Sequence, residues 1–191
     1  YLVQHYDACK APLIVLEYLK GKNVSGNEPR DVFKADKDLP ITARAVTNDY
    51  HSSGYDMGHL APAADFHASK SQMLDSFMLS NASPQVPRMN RGIWKLIEIR
   101  TRALAAKQKE VYVITGVIYE DRPKKIGSGV CVGTHYYKIV VDKNTQKSIA
   151  YLVPNDMGVI PDISEYETTI AAIEKLTKIN FLPDLPVTST L

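Results

Sequence analysis

The densest chemistry in the chain lies in Ser53-Gly54-Tyr55-Asp56-Met57-Gly58-His59-Leu60-Ala61-Pro62. An acid, a glycine and a histidine fall within four residues there, between a glycine-bearing turn and a proline. A neutral histidine, with an unperturbed pKa of about 6.5, can take a proton from water near neutral pH. Asp56 could orient that ring or hold a metal-bound water, and Gly58 lets a backbone or ligand approach closely. Taken alone, the string reads first as a capping aspartate beside a hydrogen-bonded histidine.

A second run, Ser80-Asn81-Ala82-Ser83-Pro84-Gln85, is followed by Asn90, Trp94 and Glu98. By themselves Asn90 reads as a turn or capping residue and Glu98 as one half of a surface ion pair with Arg102. Both runs together resemble the DNA/RNA non-specific endonucleases, in which Asp-Arg-Gly-His precedes a Ser-Asn-x-x-Pro-Gln stretch and a helix bearing Asn, Trp and Glu. The likeness extends from about Leu13 to about Phe181, through Tyr18, Asp49-Tyr50, Val113-Ile114-Thr115-Gly116, Tyr136-Tyr137-Lys138 and Glu165-Tyr166.

The resemblance implies a ββα-metal finger, in which His59 is the general base, Asn90 a direct Mg²⁺ ligand and Glu98 a holder of metal-bound waters, with Asp56 in support. Mn²⁺ or another divalent ion is an alternative to Mg²⁺. The implied reaction is sequence-nonspecific hydrolysis of DNA and RNA with one metal, leaving 5′-phosphate and 3′-hydroxyl ends. On a regular helix Asn90 and Glu98 stand about 80° apart and ~12 Å along the axis, and Glu98 leans back toward Asn90 because side chains tilt toward the helix N-terminus. Arg44, Arg88 and Arg91 are the candidate phosphate contacts, gripping a sugar-phosphate backbone that carries no sequence information. His67 is the rival base. Met57 stands where the family usually has Arg, and losing a charge-assisted phosphate bond costs on the order of 1.5–3 kcal/mol. Two other readings stay open: a nuclease-like module that binds nucleic acid or protein without cutting, and hydrolysis of a smaller phosphodiester. A homodimer and an inhibitor protein are further partners the resemblance allows.

These residues need elements to hold them. Pro12–Leu19 is short, apolar and branched and reads as a strand, residues 21–40 as a loop, and Ser71–Met78 as a short helix with Met73 and Phe77 on one face. Pro87 opens the clearest helix, with Ile93, Ile97 and Leu104 on one stripe and Arg91, Lys95, Glu98 and Arg102 on an adjoining polar face. Strands are expected at Val111–Tyr119, Val130–Asp142 and Ser148–Val153. Ser164-Glu165-Tyr166-Glu167 reads as a capping box opening a last helix, with Ile170, Ile173 and Leu176 facing inward. The fold class is α+β, a mostly antiparallel sheet flanked by helices, in one nuclease domain over residues 1–191.

Composition agrees with that size and excludes several classes. The 191 residues are 45% hydrophobic and 23% charged, ordinary for a globular chain and unlike a disordered or coiled-coil one. No apolar run reaches the roughly 18 residues of a membrane helix, so no membrane partner is expected. A net charge of +2 is far below that of a purely DNA-binding module, so any polyanion must be met by a local patch. Cys9 and Cys131 lack metal-ligand spacing and are either buried thiols or a long-loop disulfide in a secreted protein. The chain begins at Tyr1 rather than Met, so an earlier segment is expected to have been removed. The expected location is secreted or periplasmic, with a mitochondrial one as the alternative.

Overall fold

The computed structural model describes residues 1–181. Its centre is a six-stranded antiparallel sheet, ordered β1 (Leu2–Tyr6), β2 (Ala11–Lys20), β5 (Glu110–Ile118), β8 (His135–Asp142), β9 (Ser148–Pro154) and β10 (Glu167–Thr168). The strands β2, β5 and β8 are rich in Val, Ile and Tyr, which suit a pleated surface buried on both sides. One face packs Val15, Val111, Val113 and Val140 against Trp94, Ile97 and Ala105 of the long helix. The other packs Ile114, Ile139 and Ala150 against Ile170 and Ile173 of a last helix, α4 (Ile170–Thr177). The α+β class and the mostly antiparallel sheet are as expected.

Between β2 and β5 the chain leaves the sheet and builds the finger. A two-stranded hairpin, β3 (Asp56–His59) and β4 (Ala82–Gln85), pairs Asp56 with Gln85 and His59 with Ala82. The short helix α1 (Lys70–Ser76) lies within this excursion and buries Met73, with Phe77 following it. After β4 come α2 (Pro87–Met89), a π turn over Asn90–Trp94, and α3 (Lys95–Gln108). A small hairpin, β6 (Lys125–Ile126) and β7 (Val130–Cys131), closes the side of the finger, and Cys9 and Cys131 form a disulfide.

Four expectations are corrected. The helix after Pro87 is not continuous: Gly92, at φ −101° and ψ −107°, interrupts it, so regular helical arithmetic does not span Asn90 to Glu98. Val130–Asp142 is two strands, because the chain turns at Val132–Thr134 between them. The Ser164–Glu167 signature does not cap a helix. Asp162 caps a 3-10 turn there, Glu167 and Thr168 pair with β9, and Thr169 caps α4 through Ala172. Leu176 is exposed rather than inward-facing, whereas Ile170 and Ile173 are buried as expected. Strand β1, whose residues alternate between exposed and half-buried along the sheet edge, has too weak an apolar pattern to be read from sequence.

Candidate active site

The Ser-Asn-x-x-Pro-Gln stretch is the framework of the site. Asn81 is fully buried; its side-chain oxygen accepts from the Ala61 amide at 2.9 Å, and its amino group donates to the carbonyls of Ala61 at 2.8 Å and Ser76 at 2.9 Å. That fixes the exit of β3 just beyond His59. The Pro84 carbonyl accepts from Tyr136 and Asn155, which ties β4 to the central sheet. Gln85 packs against Gly58, where any side chain would overlap it.

His59, Asn90 and Glu98 come together as the walls of one cleft of about 600 Å³. The His59 ring packs against Phe33, at 4.6 Å between centroids, and against Phe77, at 4.9 Å edge-on, and the two phenyl rings are themselves 5.2 Å apart. Its Nε2 is buried with no hydrogen-bond partner among the described residues. Burial, with the Arg30 charge adding to it, lowers the imidazole to about 3, so the ring is neutral at physiological pH.

Asp56 does not orient His59. Its carboxylate accepts from Asn90 Nδ2 at 2.8 Å and from Arg91 Nε and Nη2 at 2.8 and 2.6 Å. Burial alone would raise this carboxyl, but the bonds from Arg91 and Asn90 outweigh it and hold the group below its usual range. Because Asn90 donates its amino group to Asp56, its carbonyl oxygen stays available as a ligand.

Glu98 is half-buried, and Arg102 does not pair with it. Arg102 donates instead to buried Asp65 at 2.9 Å. Burial raises Glu98 to about 7 against the pull of Lys138. Lys138 is itself buried, donating to Thr115 Oγ1 at 2.5 Å and lying 5.3 Å over the Trp94 ring.

A neutral amide oxygen and a carboxylate are hard donors of the kind Mg²⁺ accepts, and Mg²⁺ keeps several of its waters. Among the described residues no cluster of three His, Cys, Asp or Glu exists that could cage an ion. The Asn90 and Glu98 oxygens are thus of a kind that could hold a divalent ion.

The expected phosphate contacts divide. Arg91 lines the cleft, with its side chain 72% exposed beyond its grip on Asp56. Arg44 and Arg88 are not in the lining; Arg88 donates to the Val159 carbonyl and Arg44 reaches the Leu39 carbonyl. Arg30, Lys95 and Arg102 line the cleft in their place. In sequence the last two show only as members of a polar helix face. Arg30 gives no sequence signal at all, since it arrives from a loop. His67 also lines the cleft, but its Nδ1 is engaged at 3.1 Å with the Glu28 carbonyl.

Comparison with known proteins gives the family. The family profile described as DNA/RNA non-specific endonuclease matches residues 1–188. Human mitochondrial nuclease EXOG is 32% identical over 97% of this chain, and human mitochondrial endonuclease G is 30% identical over 97%. The chain spans 56% of the length of the first and 68% of the second. Among solved structures, that of the EndoG/EndoGI complex, on the mechanism of EndoG inhibition, superposes with a TM-score of 0.90 at 28% identity, covering 98% of this chain and 86% of that one. With a profile match along nearly its whole length, the chain belongs to the DNA/RNA non-specific endonuclease family.

Proposed function

We propose that residues 1–191 are a single nuclease domain that hydrolyses phosphodiester bonds of DNA and RNA without sequence preference, using one divalent ion, Mg²⁺ first. The observation that carries this reading is the cleft itself: the neutral His59 imidazole lines the same space as Glu98 and as Asn90, whose side-chain oxygen is free, and Arg30, Arg91, Lys95 and Arg102 ring it. Asn90 would hold the ion directly and Glu98 through water. When bound, the ion supplies Lewis-acid stabilisation of the phosphoryl and leaving oxygens.

The chain's own residues do the rest. Asp56 holds the Asn90 amide so that its oxygen points away, and the same carboxylate aims Arg91. Phe33 and Phe77 pack on the imidazole and hold its ring in place. The neutral imidazole of His59 takes the proton of the attacking water as the new P–O bond forms and the P–O3′ bond breaks, and the departing O3′ takes a proton from solvent. The cleft cations hold the phosphate through charge-assisted bonds. Its open, basic lining favours a polymer over a small enclosed phosphodiester.

The bond order predicts 5′-phosphate and 3′-hydroxyl ends. Nicked plasmid from a brief digest is expected to be sealed by DNA ligase with no prior end treatment; nicks that seal only after 3′-dephosphorylation contradict the reading. The Cys9–Cys131 disulfide fits an oxidising compartment, the secreted or periplasmic setting, while the named relatives are mitochondrial. The neighbour's complex with EndoGI makes an inhibitor protein a partner to test.

A further inference from the structure

A second basic surface lies at the far end of α3. Lys20 pairs in register with Glu110 across β2 and β5, and the Gly21 amide donates to the Lys109 carbonyl at 2.8 Å. The turn after β8 brings Lys143 and Lys147 to the same edge, where the Lys143 amide donates to the Glu110 carbonyl. With Lys22 and Lys107 this gathers six lysines, all exposed except half-buried Lys20. Among the described residues only two carboxylates stand with them. Glu110 is tied to Lys143 at 2.8 Å, and Asp142 is buried, accepting from the amides of Asn144 and Thr145. The local excess is four positive charges, against +2 for the whole chain.

The helix α3 joins this surface to the cleft. It begins with Lys95 and Glu98 in the cleft wall and ends beside Lys22, whose neighbour Gly21 packs on the backbone of Ala105 and Ala106. Glu98 is the sole acid on α3. The solvent face beyond it carries Ile99, Ala103 and Ala106, all exposed, with the Arg100–Glu167 ion pair to one side of them. From Glu98 to Gln108 the rise is about 15 Å, which at about 3.4 Å of axis per phosphate spans roughly four phosphates of each strand.

We infer that α3 and the lysines at its end form a second phosphate-binding surface, which holds nucleic acid flanking the scissile bond. This rests on the nuclease reading, and it makes the enzyme prefer long polymers over short ones. Condensed counterions are released wherever a lysine meets a phosphate, so the surface must show itself in the salt dependence.

The test compares the Lys22→Gln/Lys107→Gln/Lys109→Gln variant with a control of equal charge, Lys125→Gln/Lys175→Gln/Lys178→Gln, of which Lys175 and Lys178 lie in and just after α4, on the opposite face of the sheet, and Lys125 on β6 lines a cleft with Leu176 and Thr177 of α4. Substrates are a 60-base-pair duplex and bis(p-nitrophenyl) phosphate, read across a salt series. For the duplex, kcat/KM of the α3-end variant is expected to fall about tenfold, mostly through KM. Its slope of log(kcat/KM) against log[salt] should become shallower by about 2 to 3, near 0.9 for each phosphate that the surface no longer neutralises. Hydrolysis of the small diester stays unchanged, and the control behaves as wild type. An unchanged KM and slope for the duplex, or an equal change in the control, overturns the inference. If the wild type cleaves neither substrate with any divalent metal, the nuclease reading fails; duplex binding by the same variants, followed by fluorescence anisotropy, then tests the surface separately.

Discussion

Asp56 is the residue on which the cleft turns, because its one carboxylate fixes both the Asn90 amide and the Arg91 guanidinium. Met57, next to it, faces the same cleft with no charge to offer. In the proposed reading Arg91 takes over the phosphate contact that an Arg at position 57 would make. Losing a charge-assisted bond costs about 1.5–3 kcal/mol, one to two orders of magnitude in affinity. Arg91→Gln should raise KM for DNA by that factor, while Met57→Arg gives no gain in wild type and restores KM in the Arg91→Gln background. Steady-state kinetics on duplex DNA check this; a gain from Met57→Arg alone would show that the contact is not replaced. That His59, Asn90 and Glu98, which line one cleft, belong together is legible in the sequence through the family resemblance, because they sit in its motifs. The work of Asp56 is not, since which of its neighbours it binds depends on how β3 docks against the π turn. Arg30 is invisible for a similar reason: a loop of no distinctive pattern carries it into the cleft.

The β3–β4 hairpin and the interrupted helix place the groups that the residues supply. Gly58 faces buried Gln85, and a Cβ there would overlap the glutamine side chain. Gly58→Ala is expected to push β3 off β4 and to cost about 1–3 kcal/mol, the usual range for overpacking. The loss in thermal stability should come with a fall in kcat, since His59 is the next residue; full activity and an unchanged Tm would mean the hairpin carries no positional load. Periodicity suffices for β2, α1, β5 and β9, where apolar residues recur on one face. It fails at Gly92, because Ile93 and Ile97 stay buried just beyond the interruption and so preserve the stripe. The capping signature at Ser164–Glu167 misleads for the opposite reason: a good local cap is overridden by pairing of Glu167 and Thr168 with β9.

Across the whole molecule, the cleft is backed by charges buried in the core. Glu17 is 4% exposed with both carboxylate oxygens unpartnered among the described residues, and it faces Asp65, Lys138, Glu98 and the N-terminus. Burial raises Glu17 well above the ordinary range, and Asp65 and Glu98 add to this while Lys138 and the N-terminus oppose it. An acid with a raised folded pKa holds its proton when the unfolded chain has already released it. Stability is thus lost as pH rises from about 4.5 toward the folded value. Glu17→Gln should remove that loss, so its Tm should fall less than that of wild type between about pH 5 and pH 8; parallel profiles would show that Glu17 is not protonated in the fold. Nothing in the sequence discloses this cluster, whose members come from β2, the segment after β3, α3 and β8.

The central claim, that the cleft is a metal-dependent nuclease site with His59 as its base, is tested most directly by one digestion. Supercoiled plasmid and single-stranded RNA are incubated with Mg²⁺ or EDTA, using wild type and His59→Ala. Loss of both substrates with Mg²⁺, none with EDTA, and a fall of about 10²–10⁴-fold in the variant at unchanged Tm are the predicted result. Failure of the wild type to cut either substrate with any divalent ion, or a His59→Ala variant as fast as wild type, would contradict it.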